Sequence, residues 1–373
     1  MADNFKWLTI NKKQASLRAN SDLTNSCLQS LGPKWRTANK KQAWQAFLRA
    51  NPDLADNCLQ SFNWGLSHEQ SGGKTFWRIL YDRRKPVAGY MALLEVGRRQ
   101  RFLTLAGGPL LDWSQPELLA SFKADITAIA SRERCVYVRI RPQTPDSDVM
   151  RKYLRQAGFR RAPSGLAVEL AGILDLEQPE EIIRKGFNKS LRHKVRDAER
   201  DEAIKVRVSR DVKDVVLFSE LHQEHAQRRR YSPFTKTKLV KQFETFLEDD
   251  EVLLYFARRE GEVLAAHMIF FFGREASHLY GISTTLGQKY SSAPILHLSA
   301  MAEARRRGLK TYNFWGIVGT DQVKHRYYGL SQFKRGFGVK PYQYVPAHDL
   351  IIRRWPYMAI WVYLTILRKW RRL

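Results

Sequence analysis

Apolar and polar residues alternate along this chain in short runs broken by turn residues, and the runs fall in a repeating order. TFWRILY (75–81), the turn DRRKP, VAGYMALLEV (87–96) and RFLTLA (101–106) read as a three-stranded meander. A helix-period segment, ELLASFKADITAIASRER, follows, and then the strand VYVRIRP, the helix SDVMRKYLRQAG and the strand LAVEL. The second half repeats that order. VLLYFARR, VLAAHMIFFF and ASHLYGIS form its meander, PILHLSAMAEARRRG its helix and TYNFWGI its next strand; a short helix over 322–335 and the closing YQYVPA complete it.

A hairpin, a third strand, then helix, strand, helix and strand is the element order of an acetyltransferase-like (GNAT) domain, and the chain carries it twice. The predicted fold class is therefore α/β (α+β): two tandem GNAT-like domains with mixed, largely antiparallel sheets flanked by helices, followed by a C-terminal amphipathic helix. Boundaries follow from the pattern. The first domain spans 37–165 and is completed by about 340–350, the second spans 166–339, and the terminal helix covers 351–373. Residues 1–36 form a leader with a partial duplication, since TINKKQA, LRAN and CLQS recur as TANKKQA, LRAN and CLQS. Two copies fall short of the three a solenoid needs, so a loosely ordered leader is expected.

Between the halves, EEIIRKGFNKSLRHKVRDAERDEAIKV has helical register. Ile183, Phe187, Leu191, Val195 and Ala198 line one face, and Lys185, Lys189, Arg192 and Arg196 another. Stacked like charges weaken a helix unless something negative lies against them, so this stripe is either a solvated face or a phosphate-facing edge.

Composition leaves both options open. With 63 Lys and Arg against 37 Asp and Glu among 373 residues, the formal charge is +26, a field that favours nucleic acid, a diphosphate or an anionic membrane face. Three cysteines, Cys27, Cys58 and Cys135, without ligand spacing, and no charged-then-apolar leader, fit a reducing cytoplasm. The longest apolar run, Trp355 to Leu367, is too short to span a bilayer.

Several chemistries are disfavoured. There is no GxGxxG after a strand, no GxxxxGK[ST], no HExxH and no GxSxG, and the nine histidines show no ligand cluster in sequence; no metal is expected. A coenzyme A enzyme should carry a glycine-rich turn that offers backbone donors to the pyrophosphate. The corresponding segments here, LLDWSQPE and TLGQKYSSAP, are not such turns.

Five segments in order then carry a resemblance: LQSFNWG (59–65), KSLRHKVRDAER, ASHLYGISTTLGQKYSSAPILHLSAMAEARRRG, YNFWGI and GLSQFKRGFG. Together they resemble the Fem (FemABX) family of peptidoglycan bridge-forming aminoacyltransferases, in a short form without a coiled-coil arm. The resemblance implies transfer of an amino acid from aminoacyl-tRNA, a co-substrate in place of any cofactor, to the stem peptide of lipid II or UDP-MurNAc-pentapeptide. It places a functional lysine at Lys334, preceded by Phe333; a positioned ammonium stabilises the oxyanion formed when an amine attacks an ester. It also implies substrate contacts at Tyr280 and Tyr137. His68 stands where a phosphate-binding lysine of the first domain is expected, and Arg228, Arg229, Arg230, Lys236 or Lys238 stand for a second-domain arginine. Arg141 replaces an acidic residue, so no general base is assigned.

The tail RRWPYMAIWVYLTILRKWRR combines apolar and aromatic residues with six cations and no acid. An interfacial helix on the anionic inner face of the plasma membrane is expected, and with it a cytoplasmic, peripheral location. Two rival readings remain within the same fold: a coenzyme A-dependent N-acyltransferase, and a non-catalytic binder of RNA or anionic membrane.

Overall fold

The computed structural model describes residues 5–9, 32–54, 56, 58–82, 85–97 and 100–371, with side chains described between 41 and 366. Two units emerge: 1–55, 73–167 and 345–367 form the first, and 56–72, 168–344 and 368–373 the second. Residues 56–72, placed by sequence at the start of the first domain, pack within the second.

In the first unit, β1 (Phe5–Thr9), β2 (Lys74–Asp82), β3 (Lys85–Val96), β4 (Arg101–Gly107), β5 (Tyr137–Pro142) and β6 (Arg160–Arg161) share one sheet with the late strand His348–Ile351. Its order is β1-β2-β3-β4-β5-late strand-β6. Most of the expected leader lies outside the described residues, but its Phe5–Thr9 pairs antiparallel with β2. Alternation holds the sheet in place: Leu80, Ala88, Leu103, Leu105, Val138 and Ile140 point into a core with Phe122 and Ile126 of the helix Pro116–Arg132. β4 and β5 stay paired in parallel over six positions, from Phe102–Tyr137 to Gly107–Pro142.

The second unit holds β7 (Leu170–Asp175), β8 (Ile204–Ser209), β9 (Val252–Arg259), β10 (Glu262–Phe272), β11 (Glu275–Ser283), β12 (Thr311–Gly316) and β13 (Lys340–Gln343). Its order is β13-β7-β12-β11-β10-β9-β8. The closing segment read as one strand is therefore two: Lys340–Gln343 joins β7, and His348–Ile351 joins β5 and β6 of the first sheet. Pro346 lies between them, and its missing N–H suits a break between two ladders.

The stretch between the halves becomes two helices, Glu180–Lys185 and Lys189–Arg200, the second capped by the Asn188 side chain on Leu191 N. Ile183, Phe187, Leu191, Val195 and Ala198 are all buried, as their register predicts, and the four cations are exposed. This segment explains the final glycines. Gly338 has φ +75° and a Cβ there would meet the Gly186 carbonyl oxygen at 2.8 Å, while Asn188 N donates to Gly336 O at 2.8 Å; only glycine tolerates that conformation at that closeness.

Candidate functional site

β11 and β12 run parallel for three pairs only, ending at Ser277–Asn313. Past that point the strands part. In β12 the register to β7 shifts between Asn313 and Gly316, and Trp315 takes a left-handed φ of 65° held by Trp315 N donating to Asn313 Oδ1 at 2.7 Å. The helix Tyr328–Arg335 docks on the strand end that results. Val318 N donates to Ser331 Oγ at 2.9 Å, the Arg335 guanidinium donates to Val318 O, and Lys334 Nζ donates to Gly316 O at 2.8 Å.

Lys334 is 6% exposed. The resemblance implied an ammonium positioned for an oxyanion; the structure buries it against a carbonyl, and burial pulls it down to about 7 from an ordinary value near 10.5. Its positive charge in turn helps hold His267, His278 and His297 below the usual histidine range, after burial itself. Phe333 is half-buried, with its ring 5.9 Å from His297 and edge-on to Phe337 at 5.4 Å. It packs against the core of the second unit.

The two tyrosines are corrections. Tyr280 is buried on the other side of the sheet with Met268 and Phe270, and its hydroxyl donates to Gln242 Oε1 at 2.8 Å. The irregular pairing between Tyr280 and His278 leaves the two on opposite faces of the sheet. Tyr137 is 1% exposed in the first unit, stacked on Phe102 at 4.8 Å and edge-on to Tyr357 at 5.6 Å; burial raises its hydroxyl to about 12. Both rings serve packing. His68, expected as a first-domain phosphate ligand, is half-buried on the helix Phe62–Gln70 of the second unit. In the same motif Asn63 donates to Asp249 Oδ2 at 2.7 Å and to Glu251 Oε2 at 2.8 Å, so LQSFNWG docks a helix. Arg141 is wholly buried, bonded through Nη1 to Gln143 Oε1 at 2.7 Å.

The basic candidates lie at the surface. Arg228, Arg229, Arg230 and Lys236 are exposed. Arg228 reaches Thr285 Oγ1 at 2.6 Å and the Ser283 carbonyl at the end of β11. Arg326 donates to the carbonyls of Arg229 and Arg230 at 3.1 and 3.0 Å, adding a cation that the sequence reading left out. Gly287 sets this corner, because a Cβ there would lie 1.8 Å from Leu264 O. Two surface pockets, of about 440 and 450 Å³, contain none of the expected site residues.

Sequence reasoning missed the histidine cluster. His267, His278 and His297 stand on β10, β11 and the helix Ala293–Arg306, with ligand nitrogens within 4.8 Å of one another. Their spacing in the chain carries no motif; only hairpin pairing of the first two could have hinted at it.

The architecture defines the class: a tandem acetyltransferase-like protein of two GNAT-type modules. Solved structures agree in fold. The crystal structure of FemX matches with a TM-score of 0.76 at 17% identity, over 86% of this chain and 98% of that one. A tandem GNAT protein from the clavulanic acid biosynthesis pathway matches at 0.56 and 11%, over 93% and 98%. The C-terminal domain of a putative lysylphosphatidylglycerol synthetase from Agrobacterium fabrum matches at 0.54 and 13%, over 89% and 97%. In sequence, the FemAB family model matches residues 236–363. The lipid II:glycine glycyltransferase of Staphylococcus haemolyticus (strain JCSC1435) is 26% identical over 125 residues, 34% of this chain and 29% of that protein's length. Over residues 236–363 the chain is similar to the FemAB family, and it spans less than a third of the length of the curated relative it matches.

Proposed function

We propose that this protein is an aminoacyltransferase of peptidoglycan bridge synthesis, taking an amino acid from aminoacyl-tRNA and joining it to a stem-peptide amine of a lipid II-class precursor. The observation that carries the reading is the parting of β11 and β12 with Lys334 at the strand end, in a chain whose family match covers that region. The amine attacks the ester carbonyl, the C–N bond forms, the bond to the ribose oxygen breaks, and the amine's proton ends on the released hydroxyl. Lys334 exchanges Gly316 O for the oxyanion, a contact that is then made only as the reaction proceeds and so accelerates it. The exposed Arg228, Arg229, Arg230, Lys236 and Arg326, with the stripe Lys185–Arg196, suit phosphates of tRNA and of a diphosphate-linked acceptor.

The helix Arg354–Arg371 supports a peripheral place on the cytoplasmic face. Among the described residues no helix is long and apolar enough to cross a membrane. Tyr357 seats this one on the first unit, while Trp355, Met358, Trp361, Val362, Tyr363 and Ile366 remain exposed, an apolar face flanked by cations.

The test is transfer of labelled amino acid from charged tRNA to lipid II in mixed micelles. Lys334→Ala should lower the rate by about a hundredfold to a thousandfold, and nuclease should abolish transfer. Turnover that survives nuclease and runs on an acyl-coenzyme A would establish the rival acyltransferase. Full transfer by Lys334→Ala would overturn the role of that residue.

A further inference from the structure

The three histidines are brought together by identifiable local devices. β10 and β11 pair His267 with Gly281 and Met268 with Tyr280, and then Ile269 with His278, so Leu279 is an extra residue. That bulge turns His278 onto the face of His267; without it, period-two alternation would leave His278 on the opposite face with Tyr280. Gly281 clears the space, since a Cβ there would lie 2.3 Å from His278 Nε2. His297 arrives from the helix above. The ring centroids are 4.4, 4.4 and 4.7 Å apart.

These rings are not satisfied as ordinary core histidines. His267 is 3% and His297 1% exposed. The Nδ1 of His267 and both ring nitrogens of His278 are buried without a hydrogen-bond partner, each an expense of roughly 1–3 kcal/mol if nothing else binds there. His297 is different: its Nδ1 meets the Tyr312 hydroxyl at 2.9 Å, which orients the ring and leaves Nε2 for the cluster. A ligand histidine steadied through its other nitrogen is the usual arrangement at metal centres.

We infer that His267, His278 and His297 form a binding site for one divalent first-row transition metal ion of the zinc class. Three imidazoles and no carboxylate select zinc, cobalt, nickel or copper over magnesium or calcium. Bonds of about 2.0–2.1 Å would draw the three nitrogens to roughly 3.3 Å apart, a rotamer-scale movement from within 4.8 Å. Lys334 is near enough for its positive charge to be felt by all three histidines and so opposes a cation there, and its removal should tighten binding. The inference is independent of the transferase reading, because its readout is spectroscopic.

The full-length protein, stripped with a chelator, is titrated with Co²⁺ and followed by its visible ligand-field bands, then with Zn²⁺ as competitor. One equivalent should bind with the strong absorption of a four-coordinate site and be displaced by one equivalent of Zn²⁺. His278→Gln should remove the band. Tyr312→Phe, which keeps all three ligands, should weaken binding by about 10–100-fold, Lys334→Met should strengthen it, and His193→Gln, at an exposed position, should change nothing. If His278→Gln unfolds, Gly281→Ala decides, since it pushes the ring aside while every ligand stays present. Weak octahedral-type absorption, or equal affinity in Gly281→Ala, Tyr312→Phe and the parent, would overturn the site.

Discussion

Replacing Lys334 by methionine should stabilise the fold while destroying its chemistry. The lysine's pKa falls from an ordinary value near 10.5 to about 7 through burial alone. Each tenfold in proton affinity is worth 1.36 kcal/mol, so protonating the native state is roughly 5 kcal/mol harder than protonating the unfolded chain, and at pH 7 on the order of 4 kcal/mol of that opposes folding. The sign follows from proton counting: between about 7 and 10.4 the unfolded chain holds a proton the native state lacks, so this group makes stability rise with pH across that window. Methionine has similar length and no charge, but leaves Gly316 O unbonded at about 1–3 kcal/mol. The net expectation at pH 7 is a gain of about 1–3 kcal/mol. Urea denaturation of both proteins at pH 6.5, 7.5 and 8.5, with chelator present, measures it; these settings bracket the native value near 7, within the window where linkage acts. The parent should gain on methionine as pH rises, the ionisations common to both cancelling in the difference. Parallel curves would mean that the ammonium is solvated in the native state.

Gly338→Ala should cost about 2–4 kcal/mol in denaturant midpoint analysis, since it combines a left-handed φ with a 2.8 Å approach to the Gly186 carbonyl. Glu303 is held down to about 2, chiefly by its hydrogen bond from Arg306 and then by Arg307. That contribution is complete above the unfolded value near 4.3 and is lost as pH falls through about 2. Glu303→Gln should therefore destabilise by about 1–2 kcal/mol at pH 7 and by little at pH 2, read by thermal melts at both. Trp361→Glu with Ile366→Glu, both exposed, should abolish co-sedimentation with phosphatidylglycerol vesicles and leave the melting temperature unchanged; retained binding would move the membrane contact elsewhere.

What the sequence disclosed depended on the range of the interaction. Strand alternation and helix register are local, and so the meanders, the face of Ile183 to Ala198 and the element order of both modules were legible. The break after Pro346 was not, because choosing between two sheets is a tertiary decision. Tyr137 and Tyr280 failed for a related reason: a strand tyrosine points to one face or the other, and with a bulge at Leu279 the face cannot be counted from either end. That same bulge hid the histidines, since it reverses the side on which His278 falls. For Lys334, position was legible and environment was not. The turn at Trp315 that presents the Gly316 carbonyl has no sequence signature, as Trp is not a residue that favours a positive φ.

The two modules, alike in element order, differ where parallel strands meet, and that difference bears on where the proposed chemistry would lie. In the first, β4 and β5 remain zipped for six pairs, with Tyr137 and Arg141 buried along β5; backbone groups tied up in a ladder have nothing left to offer a ligand. In the second, pairing stops after three, and beyond it Trp315 takes a left-handed φ as the register to β7 shifts before Gly316 pairs with Ala171. A parted ladder frees backbone carbonyls, and here one of them, that of Gly316, is taken by Lys334. Buried polar groups persist only when paired, so a lysine retained there against its own desolvation is poorly explained by stability, which methionine would serve better. The costly residue lies at the break in the second sheet, with His267 and His278, which hold unbonded buried nitrogens, near enough to feel its charge, and local cost concentrated at one place is how functional sites commonly differ from scaffold. On that ground we place the proposed reaction in the second module, and variants of Tyr137 or Arg141 should act through folding alone.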